Sequence, residues 1–350
     1  MSIRYFVRAN SCMGTVNYAG SNLQGIDKVY LIKSEFDYLK SAFISRLASY
    51  LQDRGAECEY WCNPFRLVAY EGILIPAKGI AIVDEDIMDD NDRCEVIDID
   101  RCADKKQLAS LYDYGRIAET ELADKMNSLY SVYKGAKIIH DEWEKLYIEN
   151  MDFDRLDRYT GEILDKLVPC VNGEGIGCRY DRFFGSRGVG GNVNYIDNIT
   201  DAVGKRYFIK GRPGTGKSTF LKKLVSSLIA KGYECEVYHC GFDAESLDMV
   251  VCRELDFCVF DSTAPHEKFP VEDSDEILDF YINSGLEGVD DRISYKLLDV
   301  QVRYGKLMSL STLYLEEAFT ICSEFDDKVK QIVDFEELNN IVYDMLYEII

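Results

Sequence analysis

A chain of 350 residues is too long for one ordinary core and suits two domains. Its 47% hydrophobic and 29% charged residues are the profile of a soluble globular protein. A formal net charge of -22 disfavours nucleic acid and anionic membranes as partners.

The start, Met1-Ser2-Ile3-Arg4-Tyr5, lacks a signal-peptide layout, and no apolar run approaches membrane-spanning length. The tightest cysteine spacings, Cys58/Cys62 and Cys235/Cys240, fall on predicted strands and read as buried free thiols rather than a metal or redox pair. A cytoplasmic protein with reduced cysteines is the expectation.

Each half of the chain has the same coarse plan. Short strands come first, at Tyr5–Val7 and Phe183–Phe184. In the second half they are followed by the apolar strand Tyr207–Ile209, a helix to Ala230, and strands at Glu234–His239, Met249–Cys252 and Phe257–Phe260. Each half closes with a stretch rich in helix formers, Lys105–Asn150 and Glu272–Ile350, read as packing and assigned no site. The turn-rich segment 169–178 reads as a linker between domains 1–168 and 179–350. Strands alternating with helices predict two three-layer α/β/α domains, mostly parallel, with a helical tail on each.

The halves are copies. A shift of 177 positions lays Gly14–Asp84 on Gly191–Asp261 without a gap, with about 20 identities. Val16-Asn17-Tyr18 falls on Val193-Asn194-Tyr195, Lys40-Ser41 on Lys217-Ser218, and Asp84 on Asp261. At a shift of 182, Asp152-Phe153 and Leu156 meet Asp334-Phe335 and Leu338. The two halves are therefore expected to pack as an intramolecular pseudo-dimer.

The second copy carries Gly211-Arg212-Pro213-Gly214-Thr215-Gly216-Lys217-Ser218, an intact Gly-x4-Gly-Lys-Ser/Thr phosphate loop between a strand and a helix. Glycines permit positive φ and let bare backbone approach a phosphate. Successive N–H groups and the helix N-terminus then form an anion cradle. In this pattern Lys217 reaches the β- and γ-phosphates, Ser218 ligates Mg²⁺, Thr219 continues the phosphate-binding run, and Asp261 at a strand end supports the metal. Without an Asn-Lys-x-Asp motif to read guanine, ATP is favoured over GTP.

Other residues carry two readings. Ser262 stands where many ATP hydrolases place glutamate, which argues against fast hydrolysis. His266 either senses the γ-phosphate as a catalytic group or caps a turn. Asp243 and Asp248 are candidates for substrate contact or general base, or are merely solvated. In the first copy, Ser34-Glu35-Phe36-Asp37-Tyr38-Leu39-Lys40-Ser41 keeps lysine and serine but loses the glycines and gains acids. Side chains at Phe36, Tyr38 and Leu39 are expected to obstruct the phosphate, leaving a dead site that serves as scaffold.

At Lys210–Thr219, Tyr238–Asp243 and Asp261–His266 the sequence resembles a bacterial family of tandem P-loop NTPases, ATPase- or nucleotide-kinase-like. That resemblance implies a P-loop fold and ATP binding without settling a substrate. In the family both halves tend to carry a glycine-rich loop, and Ser34–Ser41 departs from it. Three functions follow as expectations: a slow Mg-ATP hydrolase, a kinase acting on a nucleotide or small molecule, or a nucleotide-gated scaffold.

Overall fold

The structure is a computed structural model that describes residues 2–66, 69–88, 94–173, 175–189 and 191–349. The first copy contains β1 (Ile3–Tyr5), the hairpin β2 (Arg8–Ser11) and β3 (Gly14–Asn17), β4 (Lys28–Lys33), α1 (Asp37–Asp53), β5 (Glu59–Cys62), β6 (Tyr70–Ile75), β7 (Ile80–Asp84) and β8 (Cys94–Asp98). Two helices follow, α2 (Lys105–Ile148) and α3 (Phe153–Leu167). The second copy repeats the series as β9 (Arg179–Arg182), the hairpin β10 (Gly185–Gly188) and β11 (Gly191–Asn194), α4 (Ile196–Thr200), β12 (Lys205–Lys210) and α5 (Lys217–Ala230). It continues with β13 (Cys235–His239), β14 (Leu247–Cys252), β15 (Phe257–Asp261), β16 (Glu276–Asp279), short α6 (Phe280–Asn283) and α7 (Val289–Arg292), then α8 (Ser294–Lys330) and α9 (Phe335–Ile349).

The two sheets are copies strand for strand. The first has the order β1-β5-β6-β7-β4-β8 and the second β9-β13-β14-β15-β12-β16. In each, one strand (β6, β14) runs against five parallel ones. Even the irregularities recur: Trp61/Cys62 and Tyr238/His239, equivalent positions, both carry a register shift. The duplication read from sequence is thus a duplication of architecture.

The layers differ from the expected α/β/α sandwich. Along β4, Tyr30 and Ile32 face helices α1 and α9, whereas Val29 and Leu31 join a core that also holds Phe208, Tyr238, Met249, Val251 and Phe260 of the other sheet. The sheets pack face to face, each with long helices on its outer side only, giving four layers in the order α, β, β, α. An apolar inner face fits a second sheet as well as it fits helices, so alternation of elements alone did not distinguish them.

The helical tails also pack otherwise than their order suggests. Helix α2, 44 residues or roughly 66 Å long, runs antiparallel to α8. Lys125 pairs with Glu317, Glu142 with Arg303, and a Cβ on Gly115 would lie 3.1 Å from the Phe325 ring. This pair carries each tail across the molecule. Helix α3 covers the second sheet through Leu156, Ile163 and Leu167, beside Phe220 and Leu224. Helix α9 covers the first sheet through Leu338, Ile341, Val342 and Leu346, beside Phe43 and Leu47. The segments 1–168 and 179–350 mark the repeat, and each lends a helix to the other's core. The region 272–350 is also not wholly helical, since β16 begins it at Glu276 and pairs with β12.

Candidate functional site

The loop 211–216 links β12 to α5 at the carboxyl edge of the parallel strands, where open α/β sheets receive ligands. Gly214 has φ 79° and Gly216 φ 81°, left-handed backbone that a side chain would strain. Gly216 is the N-cap of α5 and offers no capping side chain, so the helix's first N–H groups are left to other acceptors. The Thr215 hydroxyl donates to the Arg212 carbonyl at 2.8 Å and braces the turn.

Lys217 opens α5. Its Nζ donates to the Arg212 carbonyl at 2.9 Å and lies 3.5 Å from Asp261 Oδ2. β15 lies next to β12 with Asp261 opposite Ile209, which delivers that carboxylate to the loop. Asp261 Oδ1 accepts from the Thr263 N–H at 3.1 Å and its hydroxyl at 2.7 Å, leaving Oδ2 toward Lys217. Ser218 Oγ accepts the Leu247 N–H at 2.9 Å, tying α5 to the start of β14. Thr219 is exposed on the outer side of α5, and Arg212 points away from the loop to Asp290, over the Tyr281 ring.

Asp248 and Asp243 join this edge because β14 runs antiparallel and starts where its neighbours end. Asp248 is buried, and that burial together with the Asp261 charge pushes its carboxyl up to about 7. Asp243 caps its own turn, accepting from the Glu245 N–H at 3.2 Å, and lies 3.5 Å from Lys137 Nζ. His266 is placed differently. Its half-buried ring packs edge-on against Phe184 at 4.9 Å, with Nδ1 buried and unpartnered. Among the described residues no hydrogen bond or ion pair joins it to Lys217 or the loop, and burial pulls its pKa down. Ser262 is also structural: its hydroxyl donates to the Lys268 carbonyl at 2.6 Å and accepts the Lys268 N–H at 3.0 Å.

The helical tail, assigned no site from sequence, supplies a wall of this one. A Cβ on Gly214 would come within 2.7 Å of the Glu144 carbonyl oxygen, so α2 sits directly on the loop. Burial raises the Glu144 carboxyl, and Lys137 and then Lys217 oppose that rise. His140 is pulled down by burial and by Lys137, which keeps its imidazole neutral near pH 7. Lys137, His140, Asp141 and Glu144 are spaced along one helical face, a polar stripe that was legible in the sequence. What it faces was not.

The first copy is built differently at the equivalent position. Helix α1 begins at Asp37, the counterpart of Gly214, whereas α5 begins at Lys217. A turn of helix replaces the loop. Phe36 and Leu39 do not obstruct a phosphate position as expected; both are buried in the core of the first unit, the Phe36 ring beside Phe325 of α8. Lys40 is 1% exposed and paired with Asp84 at 3.0 Å, Asp37 at 3.2 Å and Asp86, so its charge is spent inside the chain.

A cavity of 730 Å³ between β8 and α9 and one of 210 Å³ between the units both lie away from the glycine-rich loop. No helix among the described residues is long and apolar enough to cross a membrane. No protein family, curated protein or solved structure matches the chain.

Proposed function

We propose that the second copy binds ATP with Mg²⁺ at Gly211–Ser218 and hydrolyses it slowly, with the first copy as scaffold. The observation that carries this reading is the meeting of three groups at one sheet edge. Two left-handed glycines open the turn, Lys217 lies at the start of α5, and Asp261 stands 3.5 Å from its ammonium. These residues fit the group. The loop's N–H groups and Lys217 would hold the phosphates, while Ser218 Oγ and Asp261 would hold the ion. Bound Mg-ATP supplies the electrophilic phosphorus and the charge neutralisation. The chain's part is to position it: Lys217 Nζ would exchange the Arg212 carbonyl for a phosphate oxygen, and the attacking water would come from solvent.

Slow turnover follows from what surrounds Asp261. The neighbouring Ser262 is engaged with Lys268, and the His266 ring is held against Phe184, which leaves Asp261 without an adjacent glutamate to polarise a water. A second reading, a nucleotide-gated scaffold, draws on α2, which rests on the loop at Gly214 and reaches to the first unit. A kinase reading needs an acceptor site, for which Asp243 and Asp248 remain the candidate bases.

Binding and phosphate release measured on the full chain with Mg-ATP test the proposal. Tight binding with slow turnover that Lys217→Ala abolishes is the expected result. Binding without turnover favours the gated scaffold, and turnover that appears only with an added metabolite favours the kinase. ATP binding unaffected by Lys217→Ala sinks all three.

A further inference from the structure

On the outer side of the second sheet, between β16 and α3, two rings meet. Tyr159 of α3 packs edge-on against Phe280 at 5.8 Å, and Leu278 of β16, in the same core, is 2% exposed. A shift of 182 lays Tyr159, Ile163 and Lys166 on Ile341, Met345 and Glu348 of α9. Strand register matches Leu278, opposite Ile209, with Ile97, opposite Ile32, and two residues later Phe280 falls on Ile99. Both rings are therefore aliphatic in the first unit. There the 730 Å³ cavity lies between β8 and α9, with Ile341 and Met345 in its wall and Ile97 left half-buried. Tyr112 of α2, its ring stacked on Phe36 at 6.4 Å, gives the cavity an aromatic side.

Charge at the rim differs as well. Asp98, Asp100, Asp344 and Glu348 line the cavity beside one cation, Arg101, which lies 3.5 Å from Glu337. Two of these acids are engaged within the chain: Glu348 holds Lys28 at 2.8 Å, and Asp100 accepts the Ser34 hydroxyl at 2.6 Å. Asp98 accepts only the Asp100 N–H, at 3.0 Å. Asp344 has no side-chain hydrogen bond or ion pair among the described residues. In the second unit Lys166 stands where Glu348 does and pairs with Glu276 at 2.7 Å, so a cation answers the acid there. An apolar wall with unengaged carboxylates at its edge complements a molecule whose apolar body ends in a cation.

We propose that the first unit binds a small arylalkyl ammonium compound in the cavity between β8 and α9. Its ring takes the space that Tyr159 and Phe280 fill in the second unit, and its ammonium meets Asp344 and Asp98. Aliphatic walls and the Tyr112 face suit a ring, and an ammonium supplies the charge that the rim lacks. The site shares no residue with Gly211–Ser218 and does not rest on the ATP reading, so the two can fail separately.

Phenethylamine titrated into the full chain and followed by ligand-observed NMR is the test. Phenylacetate serves as the ring without the cation, and ethylamine as the cation without the ring. One saturable phenethylamine site is expected, weakened roughly fivefold in Asp344→Asn and unchanged in Lys217→Ala. Ile341→Tyr, which supplies the ring that α3 carries, should abolish it. No saturable binding below about 10 mM overturns the proposal. Equal binding of either control compound overturns it too, as does loss of the site in Lys217→Ala. Ile341 is 3% exposed, and should Ile341→Tyr fail to fold in a thermal melt, Val96→Trp fills the cavity from a position that is 53% exposed. That variant is expected to lose phenethylamine, and retained binding there is equally fatal.

Discussion

Phe6 and Phe183 occupy the same position in the two copies and pair with each other. Each donates its N–H to the other's carbonyl, at 2.9 and 2.8 Å, in an antiparallel bridge. A residue can meet its own repeat equivalent in this way only near a two-fold axis, so the pseudo-dyad of the molecule passes here. Both rings are fully buried, together with Ala9, Cys62 and Ala244. Phe6→Ala and Phe183→Ala are therefore expected to cost similar amounts, roughly 3–5 kcal/mol each. Urea unfolding measures both, and a cost confined to one of them means that the two rings do not share one packed environment.

The lysines of the two copies should separate stability from binding. Lys217 is held by one carbonyl and a carboxylate at 3.5 Å, so Lys217→Ala is expected to lose ATP with little loss of stability. Lys40 is buried among three carboxylates, and Lys40→Ala leaves them unpaired, a loss of roughly 3–5 kcal/mol. ATP binding by whatever fraction of Lys40→Ala remains folded should be unchanged. Titration calorimetry beside chemical denaturation distinguishes the two outcomes, and loss of ATP binding by folded Lys40→Ala contradicts the scaffold role.

Much of this was legible in the sequence because it depends on local spacing. The loop, the helix behind it and the strand that ends in Asp261 are each set by residues within a few positions of one another, and the repeat was read from aligned identities. The rest depends on where long elements travel. Nothing near Glu144 indicates that α2 reaches the other unit's loop, and nothing near Leu338 indicates that α9 covers the first sheet. His266 was drawn toward the site by its distance in sequence from Asp261, yet a turn of the loop directs its ring at Phe184 instead.

Contact between α2 and the loop gives an optical signal. The chain has 2 tryptophans. Trp61 is fully buried between the sheets, and Trp143 stands next to Glu144 on α2, half-buried against Tyr304. If phosphate entry displaces α2, saturating Mg-ATP should change tryptophan emission in the parent and not in Trp143→Phe. An unchanged spectrum with ATP demonstrably bound removes the support for gating through α2.

Asp248 should make stability depend on pH in a direction opposite to that of a salt-bridged acid. Its carboxyl titrates near 7 in the folded chain and near the ordinary 3.8 when unfolded, so the folded state holds the extra proton between these values. Stability from this group is full below about 4 and is lost as pH rises toward 7. Asp248→Asn keeps the shape without the charge and should flatten that fall, by on the order of 2–4 kcal/mol. Denaturation at pH 5 and pH 8 in the absence of metal reads it, and parallel slopes for parent and variant count against the buried, unpaired carboxylate.

The exchange of terminal helices makes the most specific prediction about where damage falls. Ile341 and Leu346 belong to the second copy by sequence, but their side chains sit with Phe43, Leu47 and Ile82 of the first unit. Replacing both with alanine removes packing worth roughly 2–5 kcal/mol at each position from the first core. Hydrogen exchange should then quicken in β4, β6 and β7, and not in β12 or β15, although the substitutions lie near the C-terminal end of α9. Leu156→Ala and Ile163→Ala on α3 should do the reverse, loosening β12, β15 and α5, the helix that begins at Lys217. Faster exchange in the copy that contains the substitution, rather than in its neighbour, is incompatible with the crossed packing of α3 and α9.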